Sequence, residues 1–410
     1  VTPDGDTAIN PYGILASSEG AALLSALEGF DEEHAAAAAQ RARSLAPADV
    51  ARAALATSFA RRRAEASGKF EHPRSMFFTR SGYEQATSDA VARYRAGRFA
   101  GLGVVADLCC GIGSDSVALA RLTDNVDAFD LDPDALACAA GNTRAAGVEG
   151  KVRLMLADAA GVRLDRASAA FADPSRRHGR DRVRDAAEYS PPLASLLARA
   201  RELPESRLCV KVAPGIDLSE PSIKGALGGA ALEAEFISER GTCKEAALWC
   251  GAFARVDGAR RATAIDSEGA HVFDGDRSVA AAVSPIRAFV GEPDPALIRA
   301  GLIGAYSTAL DRHVLDRRVA YLTTDVTDQS HDPFVRWYRV RDVLAFGVKR
   351  IREYLRERAI GRLVVKTRAF PLKPDELVAL LKPRGPNPAT LIVTTIQEKK
   401  TAIVCDPCEA

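Results

Sequence analysis

The stretch "VVADLCCGIGSDSVALA" at 104–120 restricts what this chain can fold into more than any other. An apolar, β-rich run leads into Asp107, passes glycines at 111 and 113, and enters apolar residues at helical spacing. A strand ending in a carboxylate, a glycine turn and a helix make the first turn of a doubly wound sheet. The glycines let the backbone pass close to a ligand, and the helix start offers N–H groups with no acceptor inside the helix. The spacing is neither G-x-G-x-x-G nor Gly-Lys-Ser/Thr, which argues against NAD and ATP.

The surrounding chain fits such a sheet. Residues 14–66 are Ala-rich with helical periodicity, and 81–99 reads as a further helix, so 1–100 is expected to form a helical N-terminal domain. Strands are expected at 104–109, 125–130, 152–157, 169–172 and 208–212, with helices around 114–121, 133–146 and 188–202. That alternation implies a parallel sheet covered on both faces. Two more strand candidates, 231–238 and 245–256, would close a sheet of about seven strands within a domain 101–275. The stretch 274–295 reads as a linker, and 276–330 as linker plus a small α/β segment. The remainder, 331–410, is expected to carry a long basic helix at 336–359, a strand in "RLVVKTRAF", a helix in "PDELVALLK" and a terminal hairpin turning at 398–400.

Two more acids stand in register with Asp107. Asp130 closes the second expected strand, where a carboxylate followed by Leu131 can accept both hydroxyls of a ribose. Asp158 follows the third, where it and its neighbour Ala159 can face an adenine edge. Gln85, in "EQAT" before the first strand, can reach a cofactor or cover the substrate mouth; packing of its helix is the alternative.

Asp107, Gly111 and Gly113, Asp130 in "DLDPDA", Asn142 and Asp158 resemble motifs of the class I S-adenosylmethionine-dependent methyltransferases over about 100–256. The resemblance implies a Rossmann-like α/β fold, a seven-stranded sheet whose last strand is antiparallel, and S-adenosyl-L-methionine as cofactor. It places Asp107, Cys109, Gly111, Gly113, Asp130, Leu131, Asp158, Ala159 and Gln85 around that cofactor, with Cys109 where the family often has glycine. Across nearly the whole chain, "GYEQAT", "DLCCGIGSD", "FADPSRR", "VKVAPG" and "KEAALWCG" resemble bacterial methyltransferases with a C-terminal THUMP-like domain, a domain associated with RNA modification.

The reacting end is expected after the fourth strand. Asp173 and Pro174 match the first two positions of the D-P-P-Y type motif of amino methyltransferases, and Arg176 stands where that motif has its aromatic. Asp173 can orient or deprotonate a nucleophile. Arg176 and Arg177 can grip a phosphate or carboxylate, or form a solvated, salt-bridged loop. No Pro-Cys or Ser-Cys-Asn context offers a thiolate nucleophile for C5 methylation. Cys405 and Cys408 have zinc-ligand spacing without a second pair, so no metal is expected.

Charge bears on the partner. The net charge is +1, yet 333–404 holds 16 Lys/Arg against 6 Asp/Glu, which is +10. A basic end meets a polyanion, and Arg352 and Arg356 on one helical face, with Trp337 and Tyr338 nearby, suit an RNA backbone and an unpaired base. An ordinary amphipathic helix is the alternative. Scattered cysteines and the absence of a membrane-length apolar run or signal-like start point to a cytoplasmic protein. The 44 arginines against 11 lysines fit a GC-rich bacterial genome. The expected function is methyl transfer to RNA, rRNA or tRNA. The alternatives are a protein or small-molecule methyltransferase, or a catalytically silent cofactor- and RNA-binding protein.

Overall fold

The computed structural model describes residues 10–175, 177–178, 181–182, 189–326 and 332–407. It divides into two compact units, 1–233 with 246–258, and 234–245 with 259–410.

The first unit opens with helices α1 (Pro11–Leu15), α2 (Ser18–Ser25), α3 (Ala35–Leu45), α4 (Ala48–Ser67), α5 (Arg80–Gln85) and α6 (Asp89–Ala96). The alternation then begins: β1 (Val104–Leu108), α7 (Ser114–Ala120), β2 (Asn125–Asp130), α8 (Pro133–Ala145), β3 (Val152–Leu156) and β4 (Ala169–Ala172). A two-residue pair, β5 (Arg177–His178) and β6 (Asp181–Arg182), precedes α9 (Leu193–Ala198), β7 (Leu208–Val212) and α10 (Pro221–Leu227). The hairpin β8 (Leu232–Glu239) and β9 (Thr242–Cys250) follows.

In hydrogen-bonded order seven of its strands run β8-β9-β7-β4-β1-β2-β3, and two more beyond β8 make the sheet nine-stranded where the resemblance implied seven. β1, β2, β3, β4 and β7 are mutually parallel, and β9 runs antiparallel to β7. This is the class I methyltransferase arrangement. The chain winds outward from β1 through β2 to β3, then returns to β4 on the other side. That reversal opens a crevice at the carboxyl ends of β1 and β4, where ligands bind in such sheets. β1, β4 and β7 are buried almost throughout, as strands covered on both faces must be.

The N-terminal helices share a core with the glycine turn and α8. Residues of α1, α2 and α4 cluster with Phe78, with Ile112 of the glycine turn and with Cys138 of α8. Asn142 pins that packing: its amide accepts from Phe77 N–H at 2.7 Å and donates to the carbonyls of Phe77 at 3.1 Å and Ile112 at 2.8 Å. Arg98 stacks on Trp249 at 4.3 Å and pairs with Glu233 at 2.5 Å.

In the second unit, residues 234–239 of β8 run parallel to β10 (Arg260–Ile265), which pairs antiparallel with β11 (Ala270–Asp274). Then come β12 (Phe289–Pro293), α11 (Pro295–Ala300), α12 (Ile303–Ala309), β13 (His313–Asp316), β14 (Val319–Thr324) and β15 (Val335–Ala345). The chain ends with α13 (Val348–Glu357), β16 (Ile360–Arg368), α14 (Pro374–Leu381), β17 (Asn387–Ile396) and β18 (Lys399–Pro407). A second sheet has the order β13-β14-β12-β15-β18-β17-β16. Ile351 and Leu355 of α13 and Leu377 and Leu381 of α14 bury against its Leu391, Val393, Ala402 and Val404. Arg368 donates to the Ala320 carbonyl at 2.6 Å and the Pro293 carbonyl at 3.3 Å, so this sheet curls toward its own far edge.

Three readings of the sequence change here. The helix expected at 336–359 exists only from Val348; 335–345 is a strand between β12 and β18. Gly347 separates the two and caps α13. Second, β12 falls inside the stretch 274–295 read as a linker, and it is flanked by strands on both sides. Third, the terminal hairpin turns at Gln397 and Glu398, both with positive φ (46° and 68°), as a two-residue turn matched to strand twist requires.

Asn142→Ala leaves three backbone groups of the site's support without a partner. The expected cost is about 2–4 kcal/mol, read as a lower midpoint in urea unfolding of the full chain.

Candidate active site

The crevice gathers the acids that the sequence singles out. Asp107, the fourth residue of β1, is fully buried. Ser116 donates to its Oδ2 at 2.5 Å, while Oδ1 has no partner. Burial, with the Asp115 charge beside it, pushes the Asp107 carboxyl up to about 8.

The turn after β1 is built for close backbone approach. Cys109, Gly111 and Gly113 all have positive φ, at 66°, 55° and 82°. A Cβ on Gly113 would lie 3.0 Å from the Ala139 Cβ of α8, so that glycine serves helix packing as well. A Cβ on Gly111 would meet nothing within 4 Å, which leaves room over that peptide. Cys109 holds a left-handed backbone at a cost that glycine would not incur. Its thiol is raised by burial first, then by Asp130, Asp173, Asp107 and Asp158. Those carboxylates therefore converge on one residue.

Asp130, at the end of β2, accepts from Gly111 N–H at 2.7 Å and from Asp132 N–H at 2.9 Å, one on each oxygen. Both oxygens are fixed, and each keeps a further lone pair. Leu131 beside it is 64% exposed, and Asp158 is exposed after β3 with Ala159 buried. Gln85 is exposed at the end of α5. That helix crosses the glycine turn closely: a Cβ on its Gly82 would fall 2.4 Å from Ile112 Cγ2.

Asp173 follows β4, its N–H donating to the Leu108 carbonyl at 3.1 Å, with Pro174 buried beyond it. Its Oδ2 accepts from Lys211 of β7 at 2.6 Å. Burial pushes this carboxyl up, and the Lys211 ammonium works against that shift. The segment beyond is closed at its base by paired Ser175 and Ser190 backbones. Arg176 lies outside the described residues, and Arg177 sits in β5.

Lys211, Thr87, Arg95 and Asp115 were not singled out by the sequence reading. Thr87, Asp115 and Lys211 fall in the family-like motifs, but nothing in local sequence pairs Thr87 with Lys211 across 124 positions.

In the second unit the expected basic residues split. Arg352 donates to the Leu380 carbonyl at the end of α14, and Arg356 is exposed on α13. The aromatic pair does not offer a stacking platform: Tyr338 is buried, and Trp337 donates its indole N–H to Asp332 at 3.2 Å and lies against Arg312. Among the described residues no group of three or more His, Cys, Asp or Glu could hold a metal ion. No described helix is long and apolar enough to cross a membrane.

The residues present fit S-adenosylmethionine. They offer an orphaned buried carboxylate oxygen, open space over Gly111, a doubly anchored carboxylate at Asp130 and a surplus of negative charge for a cationic ligand. Comparison with known proteins agrees. Residues 102–192 match the family model "RNA cap guanine-N2 methyltransferase", and 335–407 match "THUMP domain-like". An S-adenosylmethionine-dependent methyltransferase of Mycobacterium tuberculosis, in strains CDC 1551 and H37Rv, is 36% identical over 334 residues, covering 80% of this chain and 88% of that protein. A methyltransferase-type crystal structure from Porphyromonas gingivalis W83 shares the fold, with a TM-score of 0.69 at 20% identity over 93% of this chain and all of that one. With its motif acids gathered around one glycine turn, the chain belongs to the S-adenosylmethionine-dependent methyltransferases that carry a C-terminal THUMP-like domain.

Proposed function

We propose that this methyltransferase acts on RNA, with Asp173 and Pro174 at the reacting end and the basic C-terminal segment meeting the RNA backbone. The observation that carries the reading is the pairing, in one chain, of a doubly anchored Asp130 cradle with a strongly basic THUMP-like segment, in which 333–404 carries +10. The match of 102–192 to an RNA methyltransferase family supports the same substrate class.

When bound, S-adenosylmethionine supplies a methyl group on a sulfonium, ready for displacement. The chain's residues would then divide the work. Asp130 accepts hydrogen bonds from the ribose diol, with Leu131 beside the sugar. Asp158 and Ala159 would face the adenine, and Gln85 would reach the cofactor or cover the substrate mouth. Asp107 offers its unpartnered oxygen to the cofactor's ammonium, and Cys109, Gly111 and Gly113 shape the backbone beneath. Asp173 would take the proton of the attacking N–H or O–H as the nucleophile's lone pair bonds the methyl carbon, while the carbon–sulfur bond breaks with its electron pair on sulfur and the neutral thioether product leaves. Arg176 and Arg177 follow Asp173 closely enough in sequence to grip a phosphate of the same substrate.

The deciding experiment transfers labelled methyl from the cofactor to total RNA of a strain lacking this gene, with nucleoside mass spectrometry. Label in a discrete methylated nucleoside is expected; label in protein or small molecules alone sinks the RNA reading.

Asp130→Ala is expected to weaken S-adenosylmethionine binding about 10–100-fold by calorimetry, because charge-assisted hydrogen bonds to the diol are lost. Unchanged affinity in the folded variant removes Asp130 from the site.

Lys349 and Arg356 lie two turns apart on one face of α13, both exposed, and neither is the residue that caps α14. Lys349→Glu with Arg356→Glu should reduce the salt slope of RNA binding by about 0.7 per lost phosphate contact. Unrelated RNAs should weaken alike, since phosphate contacts carry no sequence information. A slope equal to wild type would place the RNA elsewhere.

A further inference from the structure

Behind Asp173 runs a buried polar chain. Lys211 Nζ donates to Asp173 Oδ2 at 2.6 Å and to Thr87 Oγ1 at 3.0 Å. The Thr87 hydroxyl donates onward to Asp115 Oδ2 at 2.8 Å. Arg95 pairs with the other oxygen of Asp115 and lies over the Phe171 ring at 4.4 Å. Lys211, Thr87, Asp115 and Arg95 are 5%, 5%, 8% and 2% exposed, whereas the Asp173 side chain is 21% exposed. The chain therefore starts in the core and ends at the one member that reaches the crevice.

A lysine inside a parallel strand is costly to bury, and an apolar residue of similar length would pack there at less cost. Its position is explained by what it holds. Asp173 is faced by Lys211 from β7, Asp115 from α7, Arg95 from α6, Asp107 from β1 and Cys109 from the turn. With Asp107 and Asp115 so near, a carboxylate lacking a close cation would take up a proton and lose its power to accept one. The Thr87 hydroxyl cannot swing freely. It donates to Asp115, which leaves its lone pairs for Lys211 and, at 3.4 Å, Arg95.

We infer that Lys211 is the positioning residue for Asp173, holding one carboxylate oxygen so that the group stays an ionised, oriented proton acceptor, with Thr87 and Asp115 fixing the ammonium from behind. This rests on the reading of Asp173 as the residue at the reacting end. Neither Lys211 nor Thr87 touches substrate in this account. Each acts through Asp173.

The test follows the Asp173 carboxyl by carbon NMR in full-length protein carrying labelled aspartate, its signal assigned by loss in Asp173→Asn. Lys211→Met should raise the Asp173 titration midpoint by more than about one pH unit, and Lys211→Arg should largely restore it. Thr87→Val keeps the shape and removes the hydroxyl; it should shift the midpoint the same way by less. It carries the test if Lys211→Met does not fold. The acid limb of methyl transfer to total RNA should move with the midpoint, while S-adenosylmethionine affinity stays within about threefold. An unmoved midpoint in either folded variant overturns the inference, and so does a shifted midpoint with an unmoved limb. RNA that takes no label from wild type, alongside a shifted midpoint, overturns the substrate reading and supports the pair.

Discussion

An ammonium and a guanidinium buried among carboxylates set the terms for everything around the glycine turn. Asp107, Asp115 and Asp173 reach one region from β1, α7 and β4. Like charges gathered in one buried region repel one another. Lys211 on Asp173 and Arg95 on Asp115 offset that repulsion. Burial first, and the Asp115 charge second, push the Asp107 carboxyl up to about 8, and burial raises Asp173 as well. The arrangement dictates architecture as well: Arg95 sits on α6 and Thr87 just before it, so the helices preceding the sheet must pack on its crevice end. The charge that remains, with Asp130 and Asp158, suits a cofactor bearing both a sulfonium and an ammonium.

Much of this was legible in sequence because strand ends declare themselves. The expected strands at 125–130, 169–172 and 208–212 coincide with β2, β4 and β7, and the acids at 107, 130, 158 and 173 all fall at or just beyond strand ends. A carboxylate closing an apolar run is a local feature, visible without a partner. The buried chain is different in kind. Thr87, Arg95, Asp115 and Lys211 read locally as ordinary polar residues, and only the crossing of α6, α7 and β7 makes them neighbours. Asn142 is intermediate: the family motif marks its position, but its three bonds to Phe77 and Ile112 are set by tertiary packing.

The misread helix at 336–345 has a specific cause. Buried Val335 and Tyr338 stand three apart, as do exposed Arg336 and Arg339, which is helical spacing. β15 also shifts register against β18 between Val340 and Asp342, and a bulge of that kind blurs the period-two pattern by which a strand is recognised. Partners on both sides decide the matter. β12 and β18 offer a full set of backbone hydrogen bonds to this segment, which outweighs a local pattern compatible with either form.

The same segment shows why net charge points to a partner class without marking the surface. Several of its cations serve the fold. Arg352 caps α14, Arg341 pairs with Asp406, Lys366 and Arg368 flank Glu292, and Arg358 stacks on Tyr354. Arg368 also satisfies the Ala320 and Pro293 carbonyls, the bonds that keep the second sheet curled. These arginines cannot turn to a phosphate without leaving carbonyls or carboxylates unsatisfied, a cost comparable to what a surface phosphate contact returns. Lys349, Arg350, Arg356, Lys382, Arg384 and Lys399 are exposed and carry no such obligation in the bonds just described. A polyanion would be gripped by these residues, so the residues that bind and the residues that fold this segment are separable by mutation even though both contribute to the same +10.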